Sequence, residues 1–252
     1  MSATMTQTLL VDERMPLAPE SRDIKQQSIE VRKGFVRKVY GILTAQLLLT
    51  VVVAYSIWSG GRDRQWLRSH EWLLWASVFM TIATVCVMSC CQEVVRRHPT
   101  NIIFLGLFTI FEGIMVGFVS AVFTGQSVLL AAGVTALVFA GMTLYAFNSR
   151  SDFTGLQPYF FAALLVLLSF GLLLVVLSAF GVALSWTILI WDILGVLIFS
   201  LYLVLDTQLI LGEWGGHSFG FTIDDYVFAA LNLYMDIINL FLHILSLLGD
   251  RQ

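Results

Sequence analysis

The chain has 252 residues, of which 58% are hydrophobic and only 12% charged, and its net charge is -3. A soluble domain carries about 25% charge, so a soluble enzyme and a disordered chain are excluded, and an acid-leaning balance is no footprint for nucleic acid. What remains is an all-α polytopic membrane protein.

Pro16, Pro19 and mixed charges predict a flexible cytosolic tail over residues 1–28, ahead of one transmembrane domain over 29–250. Arg32, Lys33, Arg37 and Lys38 follow, interleaved with Val31, Phe35, Val36, Val39 and Tyr40. This basic cluster reads as a topology anchor at the membrane surface, or as a contact with anionic lipid. A spanning helix needs about 20 mostly apolar residues. Seven segments meet that need: 41–58, 72–91, 101–123, 127–147, 158–180, 187–211 and 226–248. The last carries polar residues, so crossing and re-entry both stay open for it.

Pro99 and Pro158 stand at segment starts, where a missing N–H is harmless. Gly113 and Gly117, and Ala132, Ala136 and Ala140, recur at four-residue spacing, which lets membrane helices approach closely. Cys86, Cys90 and Cys91 read as small buried hydrophobes, with palmitoylation of Cys90 or Cys91 as the alternative. The seven Trp, among them Trp58, Trp66, Trp72, Trp75 and Trp186, read as interfacial anchors. Ten of the 14 Lys and Arg fall on the N-terminal side, which puts the N-terminus in the cytosol.

No Lys or Arg lies inside the seven segments, but Glu112, Asp192, Asp206 and Asp236 do. A charge in hydrocarbon is costly. With no cationic side chain to pair with, these carboxyls must hold a proton, face water or attract a cation. Asp192, near a segment end, reads as interfacial or as the far mouth of a path lying ~21 Å from Asp206 at 1.5 Å per residue.

Asn232, Asp236, Asn239, His243 and Ser246 follow spacings of 4, 3, 4 and 3, which is one helical face. Such a stripe faces the bundle interior or a water path and makes the last segment a central helix. Its residues serve as pore-lining, cation-attracting groups or as hydrogen-bonding glue. For His243 the two forms are a proton relay and a helix–helix hydrogen bond. His217, in a Gly-rich loop, reads as solvated. Asp206 and Asp236 lie on consecutive segments whose loop contains their midpoint, so antiparallel folding sets them at similar depth. Two carboxyls in contact share one proton. Without that proton they repel each other and attract Ca²⁺, which prefers oxygen ligands. Glu112 would add a further oxygen.

Three stretches carry a resemblance to a known family. They are Phe35-Val-Arg-Lys-Val-Tyr-Gly-Ile-Leu-Thr-Ala-Gln-Leu-Leu-Leu-Thr50, then Leu205-Asp206-Thr207, and most specifically Asp225-Tyr-Val-Phe-Ala-Ala-Leu-Asn-Leu-Tyr-Met-Asp236-Ile-Ile-Asn-Leu-Phe-Leu242. Thr109-Ile-Phe-Glu112 is a weaker echo. The sequence resembles the transmembrane Bax inhibitor motif, or lifeguard, family, and looks closest to its Golgi and plant branch. The resemblance implies a seven-helix fold around a central helix and a pH-sensitive Ca²⁺ leak from Golgi or endoplasmic reticulum stores. It also implies suppression of cell death, with other membrane proteins of cell-death or calcium signalling as partners. The family's paired aspartates match Asp206 and Asp236. Leu205 departs from the family, which often has Tyr there, and no intramembrane Arg is available for the latch that some bacterial relatives use.

Two other readings compete. An intramembrane aspartyl protease also needs paired aspartates, but such enzymes resemble each other in a Gly-x-Gly-Asp stretch that neither Asp206 nor Asp236 has. In the second reading the acids only fix helix packing, and the chain is a non-conducting regulatory protein. No Walker loop, zinc signature or nucleophile elbow is present, so no enzyme and no cofactor are expected, only Ca²⁺ as the permeating ion.

Overall fold

A computed structural model describes residues 19–60, 64–90, 99–182, 185–212 and 216–251, with side chains from residue 29 onward except at 64 and 89. Expectations on Cys91, on the loop bearing Arg96 and Arg97, and on the tail before Pro19 fall outside the described residues. The described chain folds into α1 (Pro19–Gly60), the short α2 (Arg64–Ser69), α3 (Glu71–Cys90), α4 (Thr100–Ser120), α5 (Gly125–Asn148), α6 (Gln157–Ala179), α7 (Ser185–Leu211) and α8 (Tyr226–Leu248). Seven of these are long and apolar enough to cross a membrane. In hydrocarbon every backbone N–H and C=O must be satisfied internally, which is why apolar runs of this length become helices.

Local chemistry sets the ends. The hydroxyl of Thr124 accepts from the backbone N–H of Ser127 and caps α5. Pro158 sits in the first turn of α6. Gly181 closes that helix at φ +78°, a left-handed conformation with no steric cost for glycine. α1 starts at Pro19, so its first residues occupy a stretch that the sequence assigns to a flexible tail.

The last helix, α8, is the hub. It packs against α1, α4, α5 and α7, and 67% of its most apolar stretch is buried, against 11% for α6. It also crosses the whole bundle. Tyr226, its first residue, accepts a hydrogen bond from the Asn101 amide at the face where α4 begins. Just past its last residue, Asp250 bonds the α4–α5 turn at the opposite face, through Thr124 N (3.0 Å) and Ser127 Oγ (2.9 Å).

Glycine sets the distance between α1 and α4. A Cβ added to Gly117 would stand 3.0 Å from the Cα and carbonyl oxygen of Ala54, so the two backbones touch there. The alanine stripe behaves otherwise. Ala132, Ala136 and Ala140 point outward, while Ala131 and Thr135 form the inner face of α5. Four-residue spacing defines a face, but an all-apolar helix gives no sign of which face is inside.

Candidate functional site

The seam between α7 and α8 carries two polar stations. At the first, Asp206 and Asp236 are both buried and their carboxyls lie within electrostatic reach of each other. A carboxylate has no hydrogen to donate, so a hydrogen bond across this pair would need one proton held between the two groups. Tyr202, one turn before Asp206, lies within electrostatic reach of both. No Lys or Arg among the described residues pairs with either acid.

The second station lies about 21 Å along α7 from the first, at 1.5 Å per residue. Here Asp192 is buried, and it accepts from Ser246 Oγ at 2.5 Å while its other oxygen stands 2.8 Å from His243 Nδ1. This corrects two expectations. Asp192 is no interfacial residue, because the antiparallel α8 brings His243 and Ser246 across to it. Nor are the spans without a basic partner, since His243 supplies one. Gly195 makes room for it: a Cβ there would collide with the imidazole. Trp191 packs edge-on to the ring at 4.5 Å, and its indole N–H donates to the Leu167 carbonyl of α6. That Trp is therefore a packing residue.

Glu112 does not join the aspartate pair. It is buried on α4 and faces the hydroxyl of Thr81 on α3. The cluster around it includes Thr109, which accepts from Gln46 at 3.2 Å, and Thr50, whose hydroxyl lies 2.7 Å from that of Tyr234. Among the described residues no three His, Cys, Asp or Glu side chains converge into a metal site. Of the remaining stripe residues, Asn239 donates to the Met235 carbonyl of its own helix, and Asn232 is half-buried.

Residues 32–252 match the family model described as "Inhibitor of apoptosis-promoting Bax1". The chain belongs to the Bax inhibitor family. It is 34% identical to human protein lifeguard 3 over 223 residues, which is 88% of this chain and 70% of that one. Mouse protein lifeguard 3 is 31% identical over 88% of this chain and 71% of its own length. Protein LIFEGUARD 4 of Arabidopsis thaliana is 32% identical over 88% and 86% respectively.

The face where this Bax inhibitor family chain enters its first span is tightly tied. Lys33 and Arg37 are exposed there, as a surface cluster requires. Arg32 and Lys38 are engaged with the protein. The Arg32 guanidinium donates to the carbonyls of Leu209, Leu211 and Phe221, and the Lys38 ammonium stands 3.3 Å from the Tyr226 ring centroid. Counting charge along the sequence did not reveal these partners, which are about 180 residues away. His217, expected in solvent, is buried beside Asp152 at 3.5 Å. Partial burial works to raise the Asp152 carboxyl, but hydrogen bonds from Thr154 and Ser218 outweigh it and hold the group well below the usual carboxylate range. Gln208 adds a second tie, accepting from Phe153 N and donating to the Ser151 carbonyl. The Asp-x-Thr spacing at 152–154 was a readable turn signal. Its partners in the α7–α8 loop were not readable.

Proposed function

We propose that the chain is a proton-gated cation leak, chiefly for Ca²⁺, and a negative regulator of cell death. In this reading it resides in a Golgi or endoplasmic reticulum membrane with its N-terminus in the cytosol. The observation that carries the reading is the burial of Asp206 and Asp236 within reach of each other. Their shared proton latches α7 to α8. Losing it sets two negative charges against each other in a low-dielectric seam, which drives the helices apart and attracts a hard cation. Conduction therefore rises as pH rises through the loss of that proton. The description of the matched family, an inhibitor of apoptosis-promoting Bax1, supports the cell-death part. The lipid bilayer, Ca²⁺ and other membrane proteins of cell-death or calcium signalling are the partners of this reading.

A second reading has an observation of its own. Asp192, His243 and Ser246 satisfy one another, and Asn239 is spent on its own backbone. Polar groups used in this way are helix glue, which suits a non-conducting regulatory protein. Ca²⁺ flux into liposomes holding the purified protein separates the two. The leak reading expects flux that grows with pH in the wild type and loses its pH response in Asp206→Asn and Asp236→Asn. Unchanged flux in both variants removes the latch, and absent flux in the wild type favours the regulatory reading.

A further inference from the structure

Arg32 sits in a receptor. Its Nη2 donates to Leu209 O at 2.8 Å, its Nε to Leu211 O at 3.2 Å and its Nη1 to Phe221 O at 2.6 Å. The guanidinium carbon stands 4.8 Å from the Phe35 ring centroid. Two glycines line the site beside Nη2. A Cβ on Gly212, which adopts φ +54°, would come within 2.5 Å of Nη2, and one on Gly220 within 3.0 Å.

A cation on the last carbonyls of a helix is an ordinary cap, and Leu209 and Leu211 alone would fit that description. The rest of the arrangement does not. Phe221 lies within the α7–α8 loop, ten residues past the end of α7, and Gly212 and Gly220 belong to that same loop. Three carbonyl acceptors spread around a planar fork, an aromatic ring and a glycine wall match the geometry and charge of a guanidinium, which a point-like ammonium would not use in full. The receptor also ties the end of the Asp206 helix to the loop that leads into the Asp236 helix. Leu209 follows Asp206 by three residues, less than one turn.

We propose that this cradle is a guanidinium-binding site occupied by the chain's own Arg32, and that Arg32 is thereby a positioning residue for Asp206. α1 is thereby bolted to the end of α7 and to the loop that the aspartate latch must move. The site itself stands apart from the proposed leak, whereas the positioning role rests on it.

Purified Arg32→Ala protein, titrated with millimolar guanidinium chloride, tests both parts. The site predicts a saturable rise in thermal midpoint with guanidinium that equal NaCl or urea does not reproduce and that wild-type protein, already filled, does not show. The positioning role predicts Ca²⁺ flux in liposomes raised roughly tenfold or more by Arg32→Ala, the size expected from losing charge-assisted hydrogen bonds. Guanidinium should return that flux toward wild type. Arg32→Lys keeps the charge without the fork and covers the case in which the alanine variant fails to fold: it should show a weaker form of the same guanidinium response. A midpoint that rises no more with guanidinium than with NaCl, in both variants, overturns the site. A guanidinium-specific rise with flux unchanged upholds the site and overturns the positioning role. Flux absent even in the wild type, with the specific rise intact, overturns the leak and leaves the site standing.

Discussion

Asp192 Oδ1 and His243 Nδ1 lie 2.8 Å apart across the α7–α8 seam, both buried, with Gly195 leaving the space that the imidazole fills. Removing one partner strands the other in a buried site. His243→Leu is expected to cost about 1–3 kcal/mol, the penalty for an unsatisfied buried polar group. The combination of Asp192→Asn with His243→Leu should cost less than the sum of the two single changes, because they remove the same interaction. Thermal midpoints of the four proteins in one detergent check this.

Gly195→Ala attacks the same pair from the other side. Its methyl group must displace the imidazole, so a loss of about 1–3 kcal/mol is expected, the range for overpacking. The loss should shrink when His243 is already alanine. An equal loss in both backgrounds would mean that Gly195 serves some other contact.

The α1–α4 seam makes a graded prediction. Gly117→Ala meets Ile57 Cβ at 2.7 Å and the backbone of Ala54 at 3.0 Å, whereas Gly113→Ala meets Val53 Cβ at 3.1 Å and backbone only at 3.4 Å, a looser approach. The first should lower the thermal midpoint more than the second. Ala136→Leu should leave it nearly unchanged, since that residue points outward.

Asp152 gives a pH dependence outside the spans. Its folded-state carboxyl is held below the ordinary value of about 3.9, so its contribution is complete above that value and is lost as pH falls below it. Acid should therefore release the Ser218 amide, which donates to Asp152 at 2.9 Å. Hydrogen exchange at Ser218, corrected for intrinsic rate, should accelerate as pH drops below about 4. Asp152→Ala should show the fast exchange at every pH.

Much of this architecture could be read from the chain because the bilayer imposes it. Runs of about 20 apolar residues have one outcome in hydrocarbon, and the seven segments fall within a few residues of the seven helices, apart from the early start of α1. Asp236 and His243 share a helix face by spacing alone, and a short loop brings Asp206 to the same depth. What escaped was the pairing across helices. Asp192 looked interfacial because its position was judged along one segment, while its depth is set by His243 and Ser246 on another. Glu112 was grouped with the aspartates because all are acids, although Thr109, Gln46 and Thr50 mark a separate cluster at helical spacings on α4 and α1. Those neutral side chains carry the signal of that cluster in the sequence, since they recur at helical spacing around Glu112 and across from it. The Arg32 receptor left no local trace, since backbone carbonyls have no letter in a sequence.

The central claim is that Asp206 and Asp236 hold a single proton between them. Infrared difference spectroscopy reads it directly, comparing wild-type protein with Asp206→Asn/Asp236→Asn at neutral pH. The account predicts one protonated-carboxyl C=O band in the wild type that is absent from the variant and is lost as the pH is raised. A difference spectrum containing only ionised-carboxylate bands at neutral pH would contradict it.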